Sequence, residues 1–372
     1  MTASPPLQLL TPVRLGALEL ANRIVMAPLT RCRCDNPGYV PTPMMAEYYA
    51  QRAGAGLIIS EGTIVSPRGR GYPYTPGIWS AEQIAGWRLI TDAVHQRGGR
   101  IVCQLWHCGR LSLPEFHDGL PPVAPSAINP LWQMFSPSGQ PDTVTPQALS
   151  KAEIRGIVAD FAQAARNALA AGFDGVEIHS SNGYLFHQFF SAQSNQRDDE
   201  YGGSHANRAR FFRETLDAIC SAIPADRVGF RLNPMLNRFH GLHVDADTVP
   251  MWEQVVRDAN AYGLAYLHLT EPLHPKQIAD TEGALADVGA HFRPLASMPL
   301  ITNGSMTRDK GEARLQAGLC DAVAYGTAWI ANPDLVERFR QNAALNPVDR
   351  DTFYQGGEHG YLDYPTLAQS PA

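Results

Sequence analysis

Gly175-Val-Glu-Ile-His-Ser-Ser-Asn-Gly-Tyr-Leu-Phe-His-Gln188 opens with a short apolar run and passes at once into a polar turn. The run from Gly175 to Ile178 reads as a buried strand, because strands covered on both faces are continuous apolar segments. His179, Asn182 and Tyr184 follow in the turn, so two hydrogen-bond donors and a phenol arrive together at one strand's end. Such a set suits a substrate that gains negative charge on a carbonyl-type oxygen and also takes up a proton. His and Asn can hold the oxygen, and Tyr can supply the proton. Any one of them alone would read as a loop tie or a core ring; three within six positions point to chemistry.

The same strand-then-turn pattern recurs on both sides of this stretch. Strand-like runs occupy residues 23–30, 56–63, 100–107, 228–234, 264–270, 299–305 and 322–328, which with 175–181 makes eight. Helix-like segments alternate with them. Ser80-Ala-Glu-Gln83 and Ser150-Lys-Ala-Glu153 have the capping-box form, Asn332-Pro333 sets an N-cap before Pro at the first helical position, and further helices are expected over 44–53, 207–223, 248–262, 284–295 and 308–317. Eight β-α alternations predict an α/β fold, a TIM (β/α)8 barrel, in which each crossover helix covers the outside of a parallel sheet. Residues 13–20 alternate around Gly16 and predict an N-terminal hairpin plugging one end. Residues 108–149, rich in Pro and Gly and carrying Phe116, Trp132, Met134 and Phe135, interrupt the third unit as a lid-like insertion. No Gly/Ser linker divides the chain, so residues 1–372 are expected to form a single domain.

Composition narrows the partners. The chain has 372 residues, 44% hydrophobic and 18% charged, with 30 basic against 36 acidic residues and a net charge of -6. That balance offers no footprint for nucleic acid or an anionic membrane and leaves a small-molecule partner. Met1-Thr-Ala-Ser-Pro-Pro6 has no signal-peptide character and no run approaches a membrane span, so a soluble cytoplasmic protein is expected. The six cysteines, at 32, 34, 103, 108, 220 and 320, show no Cys-x-x-Cys pair and read as thiols rather than bridges or metal ligands.

In a barrel of this kind the site lies where strands end. Those positions hold Ala27-Pro-Leu-Thr30, Glu61-Gly62, Gln104-Leu-Trp-His107, the His179 to Tyr184 turn, Arg231, Thr302-Asn-Gly-Ser305 and Tyr325-Gly-Thr327. Carboxylates are scarce and amide, hydroxyl and guanidinium donors abundant, as recognition of a heteroaromatic ring requires. Gln104 and Arg231 sit inside otherwise apolar strands, where an unpaired polar group costs several kcal/mol, so each needs either an internal partner or a bound cofactor. The turns Asn303-Gly304-Ser305 and Gly326-Thr327 offer backbone N-H groups where barrels commonly hold phosphate. Ring and phosphate together suggest a phosphorylated flavin.

Three longer motifs, Asn22-Arg-Ile-Val-Met-Ala-Pro-Leu-Thr-Arg31, Gln104-Leu-Trp-His-Cys-Gly-Arg110 and Asn195-Gln-Arg-Asp-Asp-Glu-Tyr-Gly-Gly-Ser204, together with Gly360-Tyr-Leu-Asp-Tyr-Pro365, resemble the old yellow enzyme family of FMN-dependent ene reductases over almost the whole chain. The resemblance implies that Ala27, Pro28, Leu29 and Thr30 line the flavin, that Gly62 gives it room, that Gln104 bonds its pyrimidine edge and that Arg231 lies by N1 and O2. It implies His179 and Asn182 as the pair gripping the substrate oxygen, Tyr184 as proton donor, and Tyr72, Trp106 and Tyr354 as walls of the substrate pocket. NADPH or NADH would reduce FMN in one half-reaction, and an α,β-unsaturated carbonyl, or a nitro compound or nitrate ester, would reoxidise it in the other. A non-catalytic FMN-binding barrel is the alternative.

Two departures from the family pattern stand out. Gly326 is followed by Thr327 where the family has an Arg for the FMN phosphate, and Ser180 and Ser181 replace a small Gly and Ala. A glycosidase barrel would need paired carboxylates at the strand ends, which are missing here. The related iron-sulfur dienoyl-CoA reductases would need a cysteine cluster, and no cysteine follows Cys320.

Overall fold

Eight parallel strands close into a ring in the computed structural model, which describes residues 7–273 and 281–369. Residues 1–6, read above as lacking signal-peptide character, lie outside the described residues. The strands are Ile24–Met26, Leu57–Ile59, Ile101–Trp106, Gly175–His179, Val228–Leu232, Tyr266–Thr270, Leu300–Asn303 and Ala322–Tyr325. Each pairs with the next and the eighth pairs with the first, so the sheet has no free edge. The register sets Gln104 beside Glu177, and Arg231 beside both His179 and His268.

Every residue of these strands is buried, because helices cover the outside while side chains fill the inside. The interior has two halves. At the N-terminal end Val25, Leu57, Ile59, Val102, Tyr266, Ile301 and Ala322 pack against Leu15, Leu18 and Leu20 of the hairpin formed by Val13–Leu15 and Leu18–Leu20. The expected plug is therefore present, each buried leucine contributing roughly 1.5–3 kcal/mol. Gly16 makes the hairpin possible, since it has φ +57° and a Cβ there would lie 2.3 Å from the Asp226 carbonyl. Two residues further along the strands, on the same inward face, the filling becomes polar: Gln104 follows Val102, Glu177 follows Gly175, Arg231 follows Gly229 and His268 follows Tyr266. The apolar plug ends and a polar seat begins.

The structure shortens most expected elements and redraws a few. The expected strand over 56–63 is broken: Leu57–Ile59 and Thr63–Ile64 both pair with Ile101–Trp106, and after the Ser60 N-H donates to the Val102 carbonyl at 2.9 Å, Glu61 and Gly62 leave the ladder. There the Ser60 hydroxyl accepts from the Gln104 N-H at 3.0 Å, and the Ser60 and Thr63 hydroxyls donate to the Glu61 carbonyl, so side chains replace backbone partners. Both capping boxes form. Asn332 does not cap the following helix, which is Leu335–Gln341; it ends the preceding one, its amide donating to the Ala328 carbonyl at 2.8 Å. The helix expected over 284–295 is the shorter Val288–Phe292, started by Asp287 accepting from the Ala290 N-H. The helix expected from 207 begins at His205 and is interrupted at Ala209.

Segment 108–149 returns on itself, Val123–Ala124 pairing with Gln147–Ala148. Leu111, Leu113, Phe116 and Met134 are buried against Ile64, Trp106 and Tyr184 at the barrel's C-terminal end. Among the described residues no helix is long and apolar enough to cross a membrane.

Candidate active site

The turn after the fourth strand is held rigidly. Asn182 and Gly183 both take left-handed backbone, φ +58° and +82°. Asn tolerates that region better than most residues and Gly freely. The first turn of the helix Leu185–Phe190 reaches back to fix it: the Gly183 N-H donates to His187 Nδ1 at 3.0 Å, and Gln188 Nε2 donates to the Gly183 carbonyl at 2.8 Å. Asn182 Oδ1 accepts from Asn233 Nδ2 at 2.8 Å, which turns the Asn182 NH2 away from Asn233. Burial, and then the charge of Arg231, hold His179 well below the usual histidine range, so its imidazole is neutral. Burial likewise holds the Tyr184 phenol well above its usual range, keeping its proton, and the hydroxyl donates to Tyr72 at 3.2 Å.

Four rings surround that phenol, those of Trp106, His179, Tyr72 and His240. Trp106 meets Tyr184 edge-on at 4.9 Å, His179 meets it at 5.0 Å, and Tyr72 stacks on Trp106 at 5.4 Å. They stand beside a cavity of about 590 Å³ lined by Pro28, Leu29 and Thr30 on the first strand's end, with Tyr72, Trp106, Asn182, Tyr184 and Arg231. Trp132 and Phe135 of segment 108–149 also line it.

Arg231 is buried, and its Nη2 donates only at 3.4 Å, to Thr270 Oγ1 and Asn303 Oδ1. Its Nε is sealed from solvent and has no partner. Burial pulls its pKa down, and the carboxylate of Glu177 pushes it back up. Leaving such a group unsatisfied is costly, and a carbonyl-bearing or anionic ring edge is what it lacks. Among the described residues, the backbone N-H groups of Gly304, Ser305, Gly326 and Thr327 also find no acceptor within the protein. An aromatic ring with an acceptor edge and a phosphate tail therefore fits the residues present.

The remaining expected residues are placed differently. Ala27 is packed in the apolar half of the barrel. Gly62 gives room to Trp106, since a Cβ there would lie 2.4 Å from Cε3 of that indole. Gln104 has the internal partner that was one of its two options, Nε2 donating to Glu177 Oε1 at 2.8 Å. Asn303 spans Arg231 and the Ala324 carbonyl. Thr327 is exposed at the cavity's edge, and Tyr354, 54% exposed, stands at its mouth 6.5 Å from Phe135. Both serines of the turn bond locally, Ser180 to the Arg231 carbonyl at 2.9 Å and Ser181 to His179 Nδ1 at 3.4 Å. All six cysteines are free.

Sequence reading missed the supporting residues. Asn233 and His240, the latter bonding the Asn182 carbonyl at 2.7 Å, come from a different β-α unit. Arg31 and Arg33, both buried, clamp a distant segment: Arg31 donates to the carbonyls of Phe353 and Gly360 at 2.9 Å, and Arg33 to Thr352 at 2.8 Å and to Gln355. The clamp fixes the backbone carrying Tyr354. The polar strand end Asn233-Pro234 was a signal for the first of these; nothing local announced the clamp.

This barrel, with its donor-rich mouth, has known counterparts, and the sequence profile of the NADH:flavin oxidoreductase / NADH oxidase family matches residues 8–346. The chain belongs to that family. It is similar to a putative 12-oxophytodienoate reductase of Oryza sativa subsp. japonica, 42% identical over 98% of this chain and 94% of that protein. Morphinone reductase, solved in complex with tetrahydroNAD, superposes with a TM-score of 0.90 at 45% identity over 98% of this chain and 99% of that one. The old yellow enzyme homologue from Zymomonas mobilis does so with 0.91 at 38% identity, covering 97% and 100%. The resemblance to old yellow enzymes read from the sequence therefore holds, and the protein is an oxidoreductase of this flavin family.

Proposed function

We propose that this flavin oxidoreductase is an FMN-dependent ene reductase: NADPH or NADH is the reductant, and an α,β-unsaturated carbonyl compound, or a nitro compound or nitrate ester, the oxidant. The observation that carries this reading is the convergence of Asn182, Tyr184 and the buried, incompletely satisfied guanidinium of Arg231 on one cavity, with His179 beside them. When bound, FMN supplies a hydride carrier that one substrate reduces and the next reoxidises.

The chain's own residues divide the remaining work. Arg231, Thr30, Gln104 and Asn303 hold the ring with Pro28 and Leu29 beside it, and the amides of Gly304, Ser305, Gly326 and Thr327 hold the phosphate. Ala27 and Gly62 act one layer behind, Gly62 through Trp106. The Asn182 NH2 and the neutral His179 donate to the substrate oxygen as charge gathers there. A Ser181 hydroxyl donating to His179 Nδ1 would put the His179 proton on Nε2, the nitrogen left to donate. Each such donor is worth roughly 3–4 kcal/mol. Tyr184, kept protonated by burial, delivers its proton to the substrate carbon next to the carbonyl.

Tyr72, Trp106 and Tyr354 shape the pocket, and segment 108–149 covers it as a lid on a single FMN-binding barrel domain. Free cysteines suit a reducing compartment, and we place the enzyme in the cytoplasm. Anaerobic reduction of the purified protein by each nicotinamide, followed by reoxidation with 2-cyclohexenone, tests the reading. Bleaching and recovery of a bound flavin are expected. A flavin that nicotinamide cannot bleach would favour a non-catalytic flavin-binding barrel.

A further inference from the structure

Glu177 is fully buried in the barrel interior, in the polar half, and has no part in the roles assigned above. Its Oε1 accepts from Gln104 Nε2 at 2.8 Å and its Oε2 pairs with His268 Nδ1 at 2.9 Å. Gln104 is its direct register partner on the third strand. His268 reaches it from the sixth strand, across the fifth, where the register partner of Glu177 is Gly229. Only glycine leaves that space: a Cβ at Gly229 would lie 2.4 Å from the ring of Tyr266.

The chemistry of a carboxylate then dictates the chemistry of its neighbour. A carboxylate oxygen accepts and does not donate, so Gln104 must turn its NH2 toward Glu177 and its carbonyl oxygen away. Among the described residues no donor reaches that oxygen. Arg231, two strands along, presents donors only, and its Nε is unpartnered. Gln104 and Arg231 therefore offer an acceptor and a set of donors, matching the imide N-H and the carbonyl-bearing edge of a flavin. The Glu177 carboxylate also attracts the guanidinium and offsets part of its positive potential, second only to burial among the influences on Arg231.

We propose that Glu177 is a positioning residue for the flavin: it fixes Gln104 as an acceptor, restrains the positive charge that Arg231 brings to the ring, and so sets the affinity and potential of the bound cofactor. The inference rests on the FMN reading above and deepens it. Glu177→Gln keeps the shape and removes the charge. With Glu177 neutral, Gln104 is free to turn either way, which weakens the hold on oxidised FMN, while Arg231 acts unopposed and favours the anionic reduced ring.

The test is to reconstitute wild type and Glu177→Gln with FMN, measure the dissociation constant by fluorescence quenching, and measure the midpoint potential by dye-coupled titration. Oxidised FMN is expected to bind about tenfold more weakly with reduced FMN held as before, a shift of about 30 mV to more positive potential. Identical affinity and potential would overturn the proposal. If the melting curve shows that Glu177→Gln does not fold, Gln104→Leu removes the group that Glu177 holds: about tenfold weaker oxidised FMN supports the role, and unchanged affinity overturns it. A wild type that takes up no FMN would overturn the functional reading and this inference together, whereas an indifferent variant beside a yellow wild type overturns this inference alone.

Discussion

Asn233 Nδ2 donates to Asn182 Oδ1 at 2.8 Å, joining the ends of the fourth and fifth strands across the cavity wall. With its oxygen so engaged, Asn182 can offer only its NH2 to a bound molecule. Asn233→Ala frees the amide to rotate, and one misdirected donor costs about 1.4 kcal/mol, or tenfold. We expect kcat/KM for 2-cyclohexenone to fall about tenfold with flavin content unchanged. Wild-type kinetics in this variant would show that Asn182 needs no such orientation.

Tyr184→Phe removes the phenol while keeping the ring that packs on Trp106 and His179. General acid catalysis contributes 10² or more, so enone turnover should drop at least about a hundredfold. Reduction of the flavin by nicotinamide needs no proton from this residue and should be nearly intact. Stopped-flow traces of the two half-reactions decide; equal losses in both would remove Tyr184 as the proton donor.

Thr327 stands exposed beside the unpartnered amides of the proposed phosphate seat. Thr327→Arg adds a charge-assisted contact of roughly 1.5–3 kcal/mol, which tightens the FMN dissociation constant by about one to two orders of magnitude. Equilibrium dialysis checks this. A constant no tighter than that of the wild type would mean that the turn already satisfies the phosphate.

Gly62→Ala places a methyl 2.4 Å from Trp106 Cε3, in a packed core with Tyr72 stacked behind the indole. Overpacking of this kind costs about 1–3 kcal/mol and moves the ring that supports Tyr184. Both the melting temperature and enone turnover should fall, and a variant that melts and turns over like wild type would place the Gly62 contact elsewhere.

Acid should destabilise the fold through its buried histidines. Burial takes His107 and His187 down to about 3 and His117 and His240 to about 4. In the unfolded chain the same groups bind protons near 6.5. Between about pH 6.5 and 4 the unfolded state therefore holds more protons, and the stability present above 6.5 is lost as pH falls. Glu61, pushed up to about 7 by burial, runs the other way: its contribution is present below about 4.5 and lost as pH rises through 7, offsetting about one of the four histidines. Urea midpoints should thus decline between pH 7 and 5, with a loss of a few kcal/mol. A flat profile would mean that these imidazoles are charged in the folded protein.

The barrel was legible because a strand buried on both faces must be an apolar run, and eight such runs ending in polar turns leave few other closures. Caps were legible where the pattern is local, as at Ser80 and Gln83. They were misread where a residue could serve either neighbour: Asn332 satisfies the helix behind it, not the one ahead. In the site, the His179 to Tyr184 turn could be read because its members lie within one stretch of chain. The partners that orient them could not, since Asn233, His240, and the Gln104, Glu177 and His268 chain meet only when separate strands come into register. Gly62 shows the same limit, its smallness answering to an indole more than forty residues away.

The clamp of Arg31 and Arg33 on residues 352–360 fixes when, as well as where, the mouth is made. Arg31 and Arg33 follow closely on the first strand, whereas the carbonyls they hold in segment 352–360 come after all eight strands in the chain. The wall bearing Phe353 and Tyr354 therefore gains this anchor only once the whole barrel has been synthesised.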